Sequence, residues 1–197
     1  MAGGFDGKAE EEDLVELPGD EPPISQIGDL WLIGDQRLLC GDALDPASYA
    51  HVLGGRKAQM VFTDPPYNVP IAGHVSGLGK KQHREFAMAT GEMTRPAFTA
   101  FLRSAMMRMA EVSMNGAIHY ICMDWRHCGE MDEAGGRVYS ELKNICVWAK
   151  TNGGMGAFYR SKHELIFVFK QGTAEHTNSF GLGDTGRYRT NVWDYAG

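Results

Sequence analysis

With 197 residues, the chain is long enough for one domain with a substantial hydrophobic core. Its four cysteines show no disulfide framework, and we expect neither a secretory leader nor a membrane span, which predicts a reducing cytoplasm as its location. The formal net charge of −6 argues against a uniformly basic nucleic-acid-binding surface.

The negative charge is concentrated at the start of the chain. Residues 1–23 contain eight acidic residues and a single basic one, Lys8, whereas the rest has 17 acidic and 18 basic residues. A run of acids mixed with Gly and Pro is typical of a solvated, disordered segment. The sequence therefore predicts an acidic disordered leader or linker over residues 1–27 and a folded region over residues 28–197.

Hydrophobic periodicity and turn residues predict a series of helices and strands in the folded region. In chain order these are a hairpin with strands 30–33 and 37–40, a helix from Asp45-Pro46 to about residue 53, a strand over 59–63, a Gly-rich basic loop over 69–94, a helix over 95–112, a turn at Asn115-Gly116 into a strand over 117–123, a helical segment over 125–134, and strands over 142–149 and 164–169. This alternation predicts an α/β fold with a mostly parallel sheet. The last two strands, joined through residues 153–156, are predicted to form an antiparallel edge hairpin.

Asp64-Pro65-Pro66-Tyr67 is the most informative motif in the chain. A short apolar strand delivers the acid to the sheet edge, and the prolines prevent the strand from continuing because they have no N–H. A carboxylate, carbonyls without strand partners and an aromatic ring together form a receptor for a planar group that bears an amino substituent. A plain strand-to-loop turn is the alternative, since Asp-Pro pairs favour turns.

This receptor suits methyl transfer to an exocyclic amino nitrogen, which is a poor nucleophile because its lone pair is delocalised into the ring. If Asp64 and the carbonyl of Pro65 each accept one N–H, the nitrogen is steered towards tetrahedral geometry. Its lone pair then points at a methylsulfonium carbon. Tyr67 is predicted to stack on the ring.

In these residues the chain resembles the amino-methyltransferases of DNA, whose signature is Asp/Asn/Ser-Pro-Pro-aromatic. It is most similar to the subgroup in which the signature precedes the cofactor-binding glycine loop. The resemblance extends over about residues 28–195 and includes Gly41-Asp42, the strand 117–123, Trp148-Ala149-Lys150-Thr151-Asn152 and His163-Glu164-Leu165-Ile166. The stretch from Leu30 to Asp42 resembles phage and bacterial methylases that often follow a ParB-like domain.

The resemblance implies a partial Rossmann-like methyltransferase sheet, S-adenosylmethionine as cofactor and double-stranded DNA as partner, as in restriction-modification. The target base would be flipped out of the duplex, because its amino group is otherwise out of reach. Adenine N6 is favoured over cytosine N4, since Asp at the first motif position is more similar to the adenine enzymes. Methylases of RNA and protein amides that share the signature are an alternative.

Candidate site residues fall into three groups. The catalytic candidates are Asp64, Pro65, Pro66 and Tyr67; the cofactor-binding candidates are Asp42, Ala43 and Asp64; the DNA-binding candidates are Lys80, Lys81, Arg84, Lys150, Asn152, Tyr159, Arg160 and Lys162. Asp42 is predicted to end a strand, and ligands of parallel sheets lie beyond the carboxyl ends of neighbouring strands. Its alternative role is a turn or helix cap, for which Asp45 is the better candidate. His119 is predicted to be a hydrogen-bonded core residue.

Two absences complete the sequence prediction. Cys122, Asp124, His127 and Cys128 match no common zinc spacing, so no metal is expected.

The resembling enzymes seat the methionine part of the cofactor in a Phe-x-Gly-x-Gly loop, and the glycine spacing of Phe180-Gly181-Leu182-Gly183 does not match it. We therefore expect a catalytic region truncated before this loop, inactive until a missing C-terminal segment or companion chain supplies it. The alternative is an inactive module that binds DNA or a complementary methylase chain.

Overall fold

The computed structural model of the protein describes residues 23–69, 88–151, 153, 158–178 and 189–195. The predicted leader up to residue 22, most of the basic loop and the rejected glycine motif at 180–183 lie outside these residues. The chain divides into two compact units, Met1–Gly41 and Asp42–Gly197.

The first unit contains the predicted hairpin. Strands β1 (Leu30–Ile33) and β2 (Gln36–Leu39) pair antiparallel, with Leu30 opposite Leu39 and Ile33 opposite Gln36. Gly34 lies in the connecting turn with a φ of 58°, a left-handed conformation that glycine adopts without steric cost.

The second unit contains three helices and a five-stranded sheet. Its elements are α1 (Pro46–Leu53), β3 (Ala58–Thr63), α2 (Arg95–Glu111), β4 (Ser113–Met123), a 3₁₀ turn (Trp125–His127), α3 (Cys128–Gly136), β5 (Glu141–Ala149), β6 (His163–Lys170) and β7 (Val192–Asp194). The strand order is β3-β4-β6-β5-β7.

The sheet is mostly parallel, as the sequence predicts. β4 is parallel to β3 and β7 is parallel to β5, whereas β6 is antiparallel to both of its neighbours, β4 and β5. Four strands therefore run in one direction and β6 runs in the other. The predicted antiparallel pair of β5 and β6 forms, and β7, which the sequence analysis did not find, adds a strand outside it.

The helices bury one face of the sheet. The larger core cluster contains Phe98, Leu102 and Met106 of α2 together with Ile121 of β4 and Phe167 of β6. A smaller cluster on the opposite face contains Cys122, Cys146, Ile166 and Val168. None of the helices in the described residues has the apolar length that a bilayer crossing requires.

Candidate active site

The Asp64-Pro65-Pro66-Tyr67 motif begins directly after β3, at the carboxyl end of the strand. β3 pairs in parallel with β4 through Thr63 and Ile121, so the carboxyl ends of both strands meet at one edge of the sheet. The sequence prediction placed the motif at this position. The two prolines end the strand, because neither can donate a ladder hydrogen bond.

Asn68 fixes the end of this turn. Its φ of 54° lies in the left-handed region, and its side chain is buried. The amide Nδ2 donates to the carbonyl of Met93 at 2.9 Å, while Oδ1 accepts from the N–H groups of Gly91 and Met93 at 3.1 Å each. The motif is thereby tied to the segment that leads into α2.

The described end of the predicted loop 69–94 is also held by Glu92. Its carboxylate accepts hydrogen bonds from the N–H groups of Ala89 and Thr90 at 2.6 and 2.5 Å. Residues 88–94 are therefore a hydrogen-bonded turn rather than open loop. Residues 70–87, with Lys80, Lys81 and Arg84, lie outside the described part of the chain.

A cavity of about 250 Å³ adjoins the motif. Its wall includes the predicted cofactor residues Asp42 and Ala43 together with Asp64, Pro65 and Pro66. The rest of the wall is mostly apolar and consists of Leu44, Tyr49, Thr63, Met88, Phe101, Leu102, Ala105, Met106, Met109 and Ile121. The structure thus brings the predicted cofactor residues and three of the four predicted catalytic residues to one space.

Asp42 lines this cavity, but it does not lie at the end of a strand as the sequence predicted. Strand β2 ends at Leu39 and belongs to the separate two-stranded sheet, so the premise that Asp42 ends a strand beside β3 is wrong. Asp42 instead forms a turn, in which Oδ1 accepts from the N–H of Leu44 at 2.8 Å. Asp45 caps α1 by accepting from Ala47 N–H at 2.9 Å, as predicted.

Four side chains form a polar network beside the motif. The hydroxyl of Tyr67 donates to Oδ1 of Asp64 and lies 3.1 Å from Oε2 of Glu164, the second residue of β6. The other oxygen of Glu164 forms an ion pair with Nζ of Lys150, which lies 4.8 Å from the centre of the Trp148 ring. A chain of contacts therefore runs from the ring of Trp148 to the carboxylate of Asp64.

This network shifts the pKa values of its members. Burial raises the pKa of Asp64, and the charge of Glu164 adds to the rise, whereas the hydrogen bond from Tyr67 and the charge of Lys150 oppose it. The pKa of Tyr67 is raised by burial, by its hydrogen bond to Asp64 and by the two carboxylates, so its hydroxyl stays protonated. Burial, with Asp64 and Glu164 nearby, raises the pKa of the Cys122 thiol to about 12.

The predicted DNA-binding residues between β5 and β6 differ in their placement. Tyr159 is 82% exposed and packs edge-on against Phe158, which suits stacking on a base. Arg160 donates to the carbonyl of Gly153 at 2.6 Å, and Lys162 is exposed. Lys150 is paired with Glu164, and Asn152 lies outside the described residues.

Glu164 is the site residue that the sequence analysis did not select. Its signal was present in His163-Glu164-Leu165-Ile166, where an acid interrupts an otherwise apolar strand. Because β6 is antiparallel to β4, the start of β6 lies at the same edge as the ends of β3 and β4. Glu164 therefore lies near the amino end of its strand, where a prediction based on the carboxyl ends of strands does not place site residues.

The described residues contain no candidate metal site. Within them, no group of three or more His, Cys, Asp or Glu side chains is arranged to hold a metal ion. The four cysteines are described and form no disulfide; Cys122 and Cys146 are buried.

The α/β fold has counterparts among solved structures, although no protein-family model and no curated protein matches the chain. TTHA0409 of Thermus thermophilus, assigned as a DNA modification methylase, matches with a TM-score of 0.50 and 18% identity over 80% of this chain and 66% of that chain. M1.HpyAVI matches with a TM-score of 0.48 and 13% identity over 77% and 63% of the two chains. For M1.HpyAVI in complex with SAM, the TM-score is 0.45 and the identity 13%, over 72% and 57%.

These comparisons concern the fold. At 18% identity, the likeness to TTHA0409 shows a shared α/β architecture. The present chain spans between 57% and 66% of the length of these three structures.

Proposed function

We propose that this chain forms the catalytic region of a site-specific DNA methyltransferase. The reaction moves a methyl group from S-adenosylmethionine to the exocyclic amino group of a flipped base, with adenine N6 favoured. The observation that carries this proposal is the shared cavity, in which the Asp64-Pro65-Pro66 turn faces Asp42 and Ala43. The fold likeness to a DNA modification methylase supports it.

The proposed mechanism depends on orientation. Asp64 and the carbonyl of Pro65 accept the two hydrogens of the amino group and direct the nitrogen lone pair into the cavity. Asp64 acts in its ionised form, because only the carboxylate is an acceptor on both oxygens. Positive charge develops on the nitrogen as the N–C bond forms and the C–S bond of the donor breaks, and the carboxylate stabilises this charge. The donor leaves as the neutral thioether, and the nitrogen then loses one proton to solvent. The ring of Tyr67 stacks on the base.

The cavity suits the adenosyl end of the cofactor. Asp42 is placed to accept hydrogen bonds from its amino group or ribose, and the apolar wall from α2 can cover its ring. S-adenosylmethionine supplies an electrophilic methyl group on a cationic sulfur, which two carboxylates at the wall favour.

The methionine end of the cofactor has no partner in this wall. Among the described residues, the lining includes two acids, Asp42 and Asp64, and no Lys, Arg or His. A carboxylate removed from water needs a donor. We therefore propose that a further methylase segment or a companion chain supplies the glycine loop. The DNA is bound by the predicted basic and aromatic residues.

A second candidate is a catalytically inactive module that binds DNA or a complementary methylase chain. The observation that favours it is on β3, where the apolar side chains of Met60 and Phe62 are 60% and 57% exposed. Large apolar side chains in such a position are typical of interaction surfaces.

The substitution Asp64→Ala tests the proposal. Methyl transfer to DNA is measured with the chain supplemented by a methylase segment that carries the glycine loop. We expect kcat to fall by a factor on the order of 10²–10³, the usual cost of removing one group that stabilises developing charge. Asp132→Ala, an exposed acid on α3, serves as the control and should keep the parent rate. An Asp64→Ala variant that folds, binds S-adenosylmethionine and retains half of the parent kcat would refute the role of this residue.

A further inference from the structure

The contacts within the polar network restrict the orientations that its four side chains can adopt. The network consists of Lys150, Glu164, Tyr67 and Asp64. Each oxygen of Glu164 has its own partner, the ammonium of Lys150 on one side and the hydroxyl of Tyr67 on the other. The side chains of Glu164 and Lys150 are only 24% and 27% exposed. Ion pairs in such partly buried positions are screened less by solvent than surface pairs.

The two ends of the network are anchored by different elements. Lys150 follows β5, and its ammonium lies over the ring of Trp148, within the distance of a cation–π contact. Trp148 is opposite Glu164 in the β5–β6 ladder, so this end is fixed by the sheet. The other end is Asp64, directly after β3.

The contacts determine which oxygen of Asp64 faces the reaction. Oδ1 accepts the Tyr67 hydroxyl, so Oδ2 is the oxygen with no donor among the described residues. Without the hydroxyl, the Asp64 carboxylate can rotate about its terminal torsion, which has broad, shallow minima. The hydroxyl has one proton, which it directs at Oδ1 of Asp64 with Oε2 of Glu164 as a second acceptor at 3.1 Å, and the two acceptors together restrict its rotation.

We propose that Glu164 is a positioning residue: it fixes the Tyr67 hydroxyl and, through it, the Asp64 carboxylate with Oδ2 directed at the amino group. Lys150 holds Glu164 in place. The proposal rests on the methyltransferase function proposed above, because it assigns Asp64 the role of the amino acceptor. It also changes the expectation for Tyr67, whose hydroxyl contributes to the site together with its ring.

The charges around Asp64 provide a test that needs no activity. The groups that face Asp64 are the Tyr67 hydroxyl, Glu164 of β6, Lys150 after β5 and the neutral thiol of Cys122 on β4. Asp42 lies on the wall of the same cavity. Carbon-13 NMR of the side-chain carboxyl groups measures the titration midpoint of Asp64 in the 197-residue chain.

We expect the variants to shift this midpoint in opposite directions. Glu164→Gln removes a negative charge and lowers the midpoint; Tyr67→Phe removes a hydrogen bond to the carboxylate and raises it; Lys150→Met removes a positive charge and also raises it. Glu141→Gln is the matched control, because Glu141 forms a comparable pair with Lys143 (3.0 Å) on the neighbouring strand β5. It should leave the midpoint unchanged.

A Glu164→Gln midpoint that matches that of Glu141→Gln overturns the proposal, as does a Tyr67→Phe midpoint that does not rise. If Glu164→Gln fails to fold, the other two variants decide: a titration midpoint of Asp64 that does not rise in Lys150→Met or in Tyr67→Phe overturns the proposal.

A kinetic measurement separates this proposal from the proposed function. In the supplemented enzyme, Glu164→Gln should lower kcat about tenfold or more with little change in the KM for S-adenosylmethionine, because misplaced reacting groups affect the chemical step. The acid limb of the kcat profile should follow the NMR midpoint of each variant. A parent enzyme without methyl transfer refutes the proposed function and leaves the NMR result intact. An active parent whose kcat is unaffected by Glu164→Gln refutes the positioning role.

Discussion

His119 on β4 is fully enclosed, and both of its ring nitrogens have partners. Ser113 Oγ donates to the carbonyl of Met109 at 2.7 Å, so it accepts from Nε2–H of His119 at 2.9 Å. Nδ1 then accepts the hydroxyl of Tyr139 at 2.8 Å. Burial lowers the pKa of His119 to about 4. The prediction of a hydrogen-bonded core histidine is confirmed.

The buried imidazole makes stability depend on pH. Because the pKa of His119 is about 4 in the folded chain and about 6.5 in the unfolded chain, protons bind the unfolded chain preferentially between these values. We expect its share of the free energy of unfolding to be fully present above about pH 7. As the pH falls from about 6.5 to 4, that share declines by about 3 kcal/mol.

Urea unfolding across this pH range measures the decline, with His51→Gln as the control. His51 is exposed on α1, so its variant should keep the pH dependence of the parent. His119→Gln should lose about 3 kcal/mol of that dependence, whatever its stability at neutral pH. An unchanged pH dependence in His119→Gln would contradict the assignment.

At the residue scale, the sequence predicted the Asp64-Pro65-Pro66-Tyr67 turn better than its surroundings. Asp64 was placed correctly at a strand end, because two prolines after an apolar run leave few other structures open. Glu164 was not selected, because its place beside Asp64 depends on the direction of β6. The role of Asn68 was not predicted, since its contact with Met93 joins positions that are 25 residues apart.

At the scale of elements, the long periodic segments were predicted and the irregular ones were not. Helix α2 spans Arg95–Glu111, close to the predicted 95–112, and buries Phe98, Leu102, Met106 and Met109. Strand β4 begins four residues earlier than predicted, at Ser113. The predicted turn at Asn115-Gly116 is an irregularity inside this strand, where the pairing with β3 shifts register.

Tertiary contacts explain these differences. Gly116 has a φ of 94°, and a Cβ there would lie 2.5 Å from the carbonyl oxygen of Glu175. Asn115-Gly116 is therefore a typical turn sequence, but the pairing of β4 with β3 and with β6 keeps these two residues within the strand. Strand β7 has only three residues and no periodicity of its own, so only its pairing with β5 defines it.

The packing of α3 on the sheet gives a prediction at this scale. A Cβ at Gly135 would lie 2.2 Å from Cζ of the buried Phe169 ring, whereas a Cβ at the neighbouring Gly136 meets no atom within 4 Å. We expect Gly135→Ala to lower the free energy of unfolding by about 1–3 kcal/mol, the usual cost of overpacking. Gly136→Ala should be neutral or stabilising by up to about 1 kcal/mol.

Chemical denaturation of both variants compares the same substitution at adjacent positions of one helix. Equal stabilities of Gly135→Ala and Gly136→Ala would contradict the close approach of α3 to Phe169.

At the scale of the whole molecule, the cavity proposed to hold the cofactor offers partners for only one end of it. Its described wall offers two carboxylates and a large apolar surface but no cationic side chain. We expect the adenosyl group to account for most of the binding free energy in this chain, because the methionine carboxylate has no donor in the wall.

Calorimetry with two ligands tests this expectation. 5′-Methylthioadenosine contains the adenosyl group but has a neutral thioether in place of the sulfonium, and it lacks the methionine carboxylate and amine. It should bind the 197-residue chain with a Kd within about tenfold of that of S-adenosylmethionine, a difference of no more than about 1.4 kcal/mol. Asp42→Asn should weaken both ligands alike. Micromolar binding of S-adenosylmethionine with no detectable binding of methylthioadenosine would contradict the expectation.

The central claim is that the turn after β3 directs an amino nitrogen to a methyl donor, and the most direct test follows the methyl group itself. S-adenosylmethionine with a deuterated methyl group is incubated with DNA and the chain, with and without the glycine-loop segment, and the digested nucleosides are analysed by mass spectrometry. We predict deuterated N6-methyladenine only when the chain and the segment are combined, and its absence when the chain carries Asp64→Ala. Label on a ring carbon, equal label with Asp64→Ala, or a combined sample that binds S-adenosylmethionine but labels no amino group would contradict the claim.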